Sequence, residues 1–192
     1  MKCIKCGCEH NDYHFRVLQV QTLHVRDFGK NSRIQVLGDF EEYGVCALCA
    51  EEKHRTHTDT TARVHKLLRS FGMLTVAGII LAFLYWNGEG VFRLLGLGMA
   101  ASGVLCLIGN LRSIRAKKAE LAKLPADKAL YRCAWECMID GAPKKNDVND
   151  ITYIPVDEET LARKNGDLMI LYDLLPEIAV QAHKRIHSIP EE

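Results

Sequence analysis

Ser70–Trp86 reads SFGMLTVAGIILAFLYW, seventeen residues without a charge. As an α-helix it rises about 26 Å, close to the roughly 30 Å hydrocarbon core of a bilayer. Leu67 and Leu68 lengthen it if Arg69 reaches back to the headgroups. Tyr85 and Trp86 stand at the far end, where amphipathic rings favour the lipid–water boundary. After Asn87–Gly90 (NGEG) comes Val91–Leu111, VFRLLGLGMAASGVLCLIGNL, whose only charge is Arg93. Its helical length is about 31 Å. Neither segment has the polar face that a soluble helix of this size needs. The flanking regions are also too short to cover two all-apolar helices. Transmembrane helices are therefore predicted over 67–86 and 91–111, with the bilayer itself as a partner.

The short link at 87–90 forces the two helices antiparallel and leaves both long flanks on one side. Arg63, Lys66 and Arg69 precede the first helix; Arg112, Arg115, Lys117 and Lys118 follow the second. The opposite side offers Glu89 and, near it, Arg93. By the positive-inside rule both termini are cytoplasmic, at the plasma membrane if the cell is bacterial. No basic start runs directly into a short apolar segment, so no secretory signal is expected ahead of the first cysteines. The spans hold no buried charge and no Pro-broken helix, which argues against an ion path or transport site. Gly96, Ala100 and Gly103 share a helix face and would let backbones approach closely, within the hairpin or between copies. Their presence is equally explained by the general abundance of small residues in membrane helices. Cys106 is a small apolar filler.

A cytoplasmic location keeps thiols reduced, so the cysteines flanking the hairpin are not expected to form disulfides. Cys3-Ile4-Lys5-Cys6-Gly7 has the spacing of a knuckle in which two thiolates meet one metal, and Gly7 permits the turn this needs. Cys46-Ala47-Leu48-Cys49 supplies a second pair and runs into AEEKHR, a helical stretch expected to carry acidic residues in its first turn. Together Cys3, Cys6, Cys46 and Cys49 complete the tetrahedral shell of a closed structural Zn2+ site. Between the pairs, Phe15–Val25 (FRVLQVQTLHV) largely alternates apolar and polar residues. FGKNS supplies a turn, RIQVL a return strand, and FEEYGV leads back to the second pair.

Knuckle, hairpin and cysteines opening a helix resemble the treble-clef and zinc-ribbon families over about 1–57. The resemblance implies a β-rich domain stapled by structural zinc. The opening is also similar to the zinc ribbon of the bacterial repressor of ribonucleotide reductase genes. That family's arginine run and nucleotide-binding domain are absent, so its function does not transfer. Cys8, His54 and His57 are alternative ligands. Cys8 follows Cys6 too closely for a usual knuckle, and the two histidines fall on an exposed helical stretch.

Residues 58–66 form a linker or a helix leading into the membrane, and 112–192 an α-rich cytoplasmic tail. In the tail, Pro125 interrupts or starts a helix, GAPKKNDVND is a loop and ITYIPV a short strand. Asp157 caps a helix ended by Asn165-Gly166, Asp167 caps the next, and Pro176 opens the last. Cys133 and Cys137 lie one helical turn apart and read best as small buried residues. With His183 and His187, also one turn apart, they would make a lesser second metal site, although Lys184 stands where a zinc protease motif needs Glu.

The fold class is thus an α+β membrane protein: β-rich metal module, two-helix hairpin, α-rich tail. A closed four-cysteine shell leaves no open coordination position, and no phosphate-cradling glycine loop or activated nucleophile is present. The sequence therefore predicts a non-enzymatic zinc-binding adaptor, assembly or sensory subunit at the cytoplasmic face. Its partner would be an unidentified protein or a second copy, and no small-molecule substrate is indicated. Nucleic-acid binding through Lys2, Lys5, Arg16, Arg26, Lys30 and Arg33 is the first alternative, opposed by a net charge of +1. Thiol–disulfide exchange at Cys46 and Cys49 is the second, opposed by the lack of βαβ alternation.

Overall fold

In a computed structural model, the described residues are 1–27, 30–86, 88, 90–145 and 149–188. Strands β1 (Tyr13–Asp27) and β2 (Lys30–Val45) lead into α1 (Ala47–Thr58), then α2 (Thr61–Leu84) and α3 (Gly90–Ala122). Helix α4 (Ala126–Gly141) precedes β3 (Asp150–Pro155), followed by α5 (Glu158–Leu161), α6 (Asn165–Tyr172) and α7 (Pro176–His187). The fold is α+β, with one antiparallel sheet ordered β2-β1-β3. Phe28, Gly29, Asn87, Glu89 and 146–148, on which parts of the predicted turns and loop fall, lie outside the described residues.

The chain divides into two compact units. One joins Met1–Glu51 with Tyr131–Glu192; the other is Glu52–Leu130. Strand β3 pairs with β1 from Val17↔Pro155 to Thr22↔Asp150, so the tail completes the sheet of the N-terminal module.

Within that unit β1 is covered on different faces along its length. Phe15 and Val17 point into a core shared with Val45, Ala50, Ala134, Met138 and Tyr153. Leu18 and Val20 point the other way, into a core with Ile154, Leu168, Leu174, Ala179, Ala182 and Ile186. Side chains alternate along a strand, so adjacent buried residues at 17 and 18 require cover on both faces. The pairing with β2 slips nearby, between Leu18↔Phe40 and Val20↔Leu37. The extra residue lies at Gly38–Asp39, where a Cβ on Gly38 would come 3.0 Å from that of Gln19. Gln35 ties β2 to the α6–α7 corner: its amide donates to Thr22 Oγ1 and to the Asp173 carbonyl, and its oxygen accepts from Leu175 N–H at 2.7 Å.

In the tail, Asp157 accepts from Thr160 N–H at 2.7 Å, and Pro176 starts α7, both as predicted. Asn165-Gly166 opens α6 rather than ending a helix, correcting the sequence expectation. Asp167, inside the first turn, accepts from Lys164 N–H. Helix α5 is a single turn begun by Asp157, and the chain is extended again at Lys164.

In the other unit, α2 and α3 are long and apolar enough to cross a membrane. Each has a window of mean hydropathy 2.0, of which 11% is buried. A soluble core helix of that hydropathy would be mostly covered. The two helices pack on small residues: a Cβ on Gly78 would lie 2.6 Å from Ala100 N, and one on Gly96 would lie 2.5 Å from Ala82 N. Gly103 meets Thr75 in the same way. Gly96, Ala100 and Gly103 thus face α2 within the hairpin. Their counterparts on α2 are Gly78 and Ala82, an i, i+4 pair of small residues. Arg93 lies over the Trp86 ring at 5.7 Å. Both helices exceed their predicted spans: α2 takes up most of 58–66, and α3 continues through the helix-favouring RAKKAELA.

Candidate metal centre

The first knuckle is a tight turn. Gly7 N–H donates to the Cys3 carbonyl and Cys3 N–H to the Cys8 carbonyl, both at 2.8 Å, with Gly7 at φ 77°. That left-handed backbone angle suits glycine. Cys3 bridges to Gly44 of β2, and Ile4 N–H donates to the Gly44 carbonyl, fixing the turn to the strand that carries the second pair. Gly44 is needed there, since a Cβ would meet the Asn11 side chain at 2.5 Å.

Cys46 lies between β2 and α1, and Cys49 lies in the first turn of α1. Glu51 and Glu52 fall beyond that turn, correcting the expectation of acidic residues in it. Asp12 supplies the negative charge instead, accepting from Ala47 N–H at 2.7 Å. No local pattern points to Asp12, because the cap comes from the far side of the hairpin.

Cys3, Cys6, Cys8 and Cys46 bring their sulfurs within 4.8 Å of one another, and this group could hold a metal ion. Cys3 and Cys49 sulfurs lie 4.0 Å apart; Cys6 and Cys46 sulfurs lie 3.6 Å apart. All are free thiols, with no disulfide. A metal–sulfur bond of about 2.3 Å gives a tetrahedron with edges of about 3.8 Å, a value between these two distances. Cys8 thus stands in this group of four where the sequence placed Cys49, and Cys49 lies beside it against Cys3.

The surroundings divide these thiols. Burial pushes Cys3 up, but N–H donors from Cys6, Cys46 and Lys5 outweigh it and bring the thiol down to about 6. Cys6 is lowered by bonds from the Cys8 backbone and side chain. Cys8 is pushed up to about 12, first by its contact with Cys6 and then by burial. Cys49 is raised by burial, with crowding from Cys46, Cys6 and Cys3 adding to it. Neighbouring thiolates repel, so they can ionise together only around a cation.

Helix α4 backs the site. Cys137 is fully buried, and its thiol donates to the Cys49 carbonyl at 3.3 Å; Cys133 is buried nearby. His183 and His187 lie on α7, whose buried face belongs to the other core. Among the described residues, Cys133, Cys137, His183 and His187 form no group of candidate metal ligands, and the two cysteines are buried on α4. His54 and His57 lie on α1 and are not among the clustered side chains.

Comparison with protein-family models, with curated proteins and with solved structures finds no match.

Proposed function

We propose that the chain is a non-enzymatic, membrane-anchored zinc protein that acts as an adaptor, assembly or sensory subunit at the cytoplasmic face. Cys3, Cys6, Cys46 and Cys49 hold Zn2+, and Cys8 stays outside the shell. The observation that carries this is the two sulfur pairs at 3.6 and 4.0 Å, a spacing that suits a thiolate tetrahedron around zinc. Four thiolates close the coordination sphere, which suits a structural ion rather than a catalytic one. The knuckle, the hairpin and the helix opened by cysteines support a relation in architecture to treble-clef and zinc-ribbon domains. The apolar hairpin holds this module at the bilayer, where anchoring raises its effective concentration toward other membrane components.

Metal analysis of detergent-purified chain, with mass spectrometry of what co-purifies, tests this reading. One zinc per chain and a recurrent membrane-protein partner are expected. Metal-free protein in which Cys46 and Cys49 cycle between thiol and disulfide would replace it with a thiol oxidoreductase. A reporter at either terminus is expected to read cytoplasmic; an external signal would overturn the orientation.

A further inference from the structure

At the charged end of the hairpin, His57, Thr60 and Arg63 face Ser113, Ile114 and Lys117 around a cavity of about 220 Å³. Pockets for drug-sized ligands run from about 300 Å³ upward, so this one suits a small charged group. Among the described residues, the Arg63 guanidinium has no ion-pair partner, and neither the Thr60 nor the Ser113 hydroxyl makes a side-chain hydrogen bond. Thr60 stands at the N-cap of α2 without capping it. Lys117 shares its charge with Glu120 at 3.9 Å. Two cations, an imidazole and two uncommitted hydroxyls converge on one small volume, a donor set suited to phosphate oxygens.

We propose that this pocket binds the phosphate of an anionic membrane lipid. The proposal rests on the reading that α2 and α3 cross the bilayer. The depth argues for lipid as the source. Counted from Leu67, Arg63 and Thr60 lie about 6 and 10 Å further out along α2; counted from Leu111, Ser113 and Lys117 lie about 3 and 9 Å out along α3. The headgroup layer beyond the hydrocarbon is about 5 to 8 Å thick on each side, so the pocket opens where lipid phosphates reside. Ile114 gives it one apolar wall, as the glycerol end of a lipid requires. Basic pockets between spanning helices on the cytoplasmic side are known places for anionic headgroups.

The test uses the full chain in detergent with native mass spectrometry, titrating phosphatidylglycerol, phosphatidylcholine and inorganic phosphate, and in parallel reconstitution into vesicles of either lipid. One phosphatidylglycerol should be retained per chain in preference to phosphatidylcholine. Arg63→Gln should weaken retention roughly tenfold, as loss of a charge-assisted contact does. Arg115→Gln, an equal charge loss outside the cavity, should leave it nearly unchanged. Equal losses in both variants would overturn the proposal in favour of diffuse surface attraction. Inorganic phosphate displacing the lipid at equal concentration would assign the pocket to a soluble anion instead. A chain that inserts into phosphatidylcholine vesicles yet retains no phosphatidylglycerol would sink the pocket and spare the membrane reading. Failure to insert into any vesicle would sink both.

Discussion

Two cysteines compete at the edge of the sulfur cluster. Cys49 is buried, lies 4.0 Å from Cys3 and is backed by Cys137. Cys8 is partly exposed, and its thiol donates to the His10 carbonyl at 3.2 Å. Cys49→Ser should therefore lose the bound metal, while Cys8→Ser keeps one ion per chain; metal analysis of the two purified variants decides between them. The reverse pattern would place Cys8 in the shell. Metal retention should also fall as pH is lowered, since every thiolate ligand must take up a proton on release. Titration with a chromogenic chelator follows this, and retention unchanged down to acid pH would contradict thiolate ligation. The cysteine pairs were legible because metal chemistry imposes their spacing. The approach of Cys8 was not, because it depends on the Gly7 turn, where the backbone reverses and sets the Cys8 carbonyl against Cys3 N–H.

The hairpin helices show how far element-level patterns reach. Length and apolar content announce α2 and α3, yet the packing face turns on which glycines meet backbone. A Cβ at Gly78 would lie 2.7 Å from the Gly96 carbonyl, whereas one at Gly98 would meet nothing within 4 Å. Gly78→Ala and Gly96→Ala should each destabilise the pair by about 1–3 kcal/mol through overpacking. Gly98→Ala should be neutral or slightly stabilising, since alanine favours helix. Unfolding of the hairpin in detergent measures all three, and equal behaviour would exclude close packing at Gly78 and Gly96. In the strands, alternation located β1, and the adjacent apolar residues Val17 and Leu18 marked the point where cover passes to the opposite face. At Asn165-Gly166 the composition suggested a helix end, but Asp167 accepting from Lys164 N–H makes the same residues a helix start.

Across the whole molecule, the joining of the tail to the N-terminal module in one sheet was not legible. Strand β3 reads as a short isolated strand; its partner β1 lies more than a hundred residues earlier, and pairing over that distance leaves no local mark. Ile154 is fully buried against Leu18 and Val20. Ile154→Ala should cost about 2–5 kcal/mol in the sheet-containing unit, as large-to-small core changes do. Deleting 131–192 should abolish metal loading altogether, because Ala134, Cys137, Met138 and Tyr153 enclose the cysteine core. Metal analysis of the truncated chain checks this, and a shortened protein that still loads one ion would show that the first 51 residues fold alone.

Because the sheet-containing unit is split by the hairpin, a ribosome finishes β1 and β2 long before it makes β3. At roughly 5–20 residues per second, the early strands wait several seconds for their third member. During that interval Leu18 and Val20 lack the cover that Ile154 later gives them. Anything that shields the nascent edge must act within this window, before the last strand closes it.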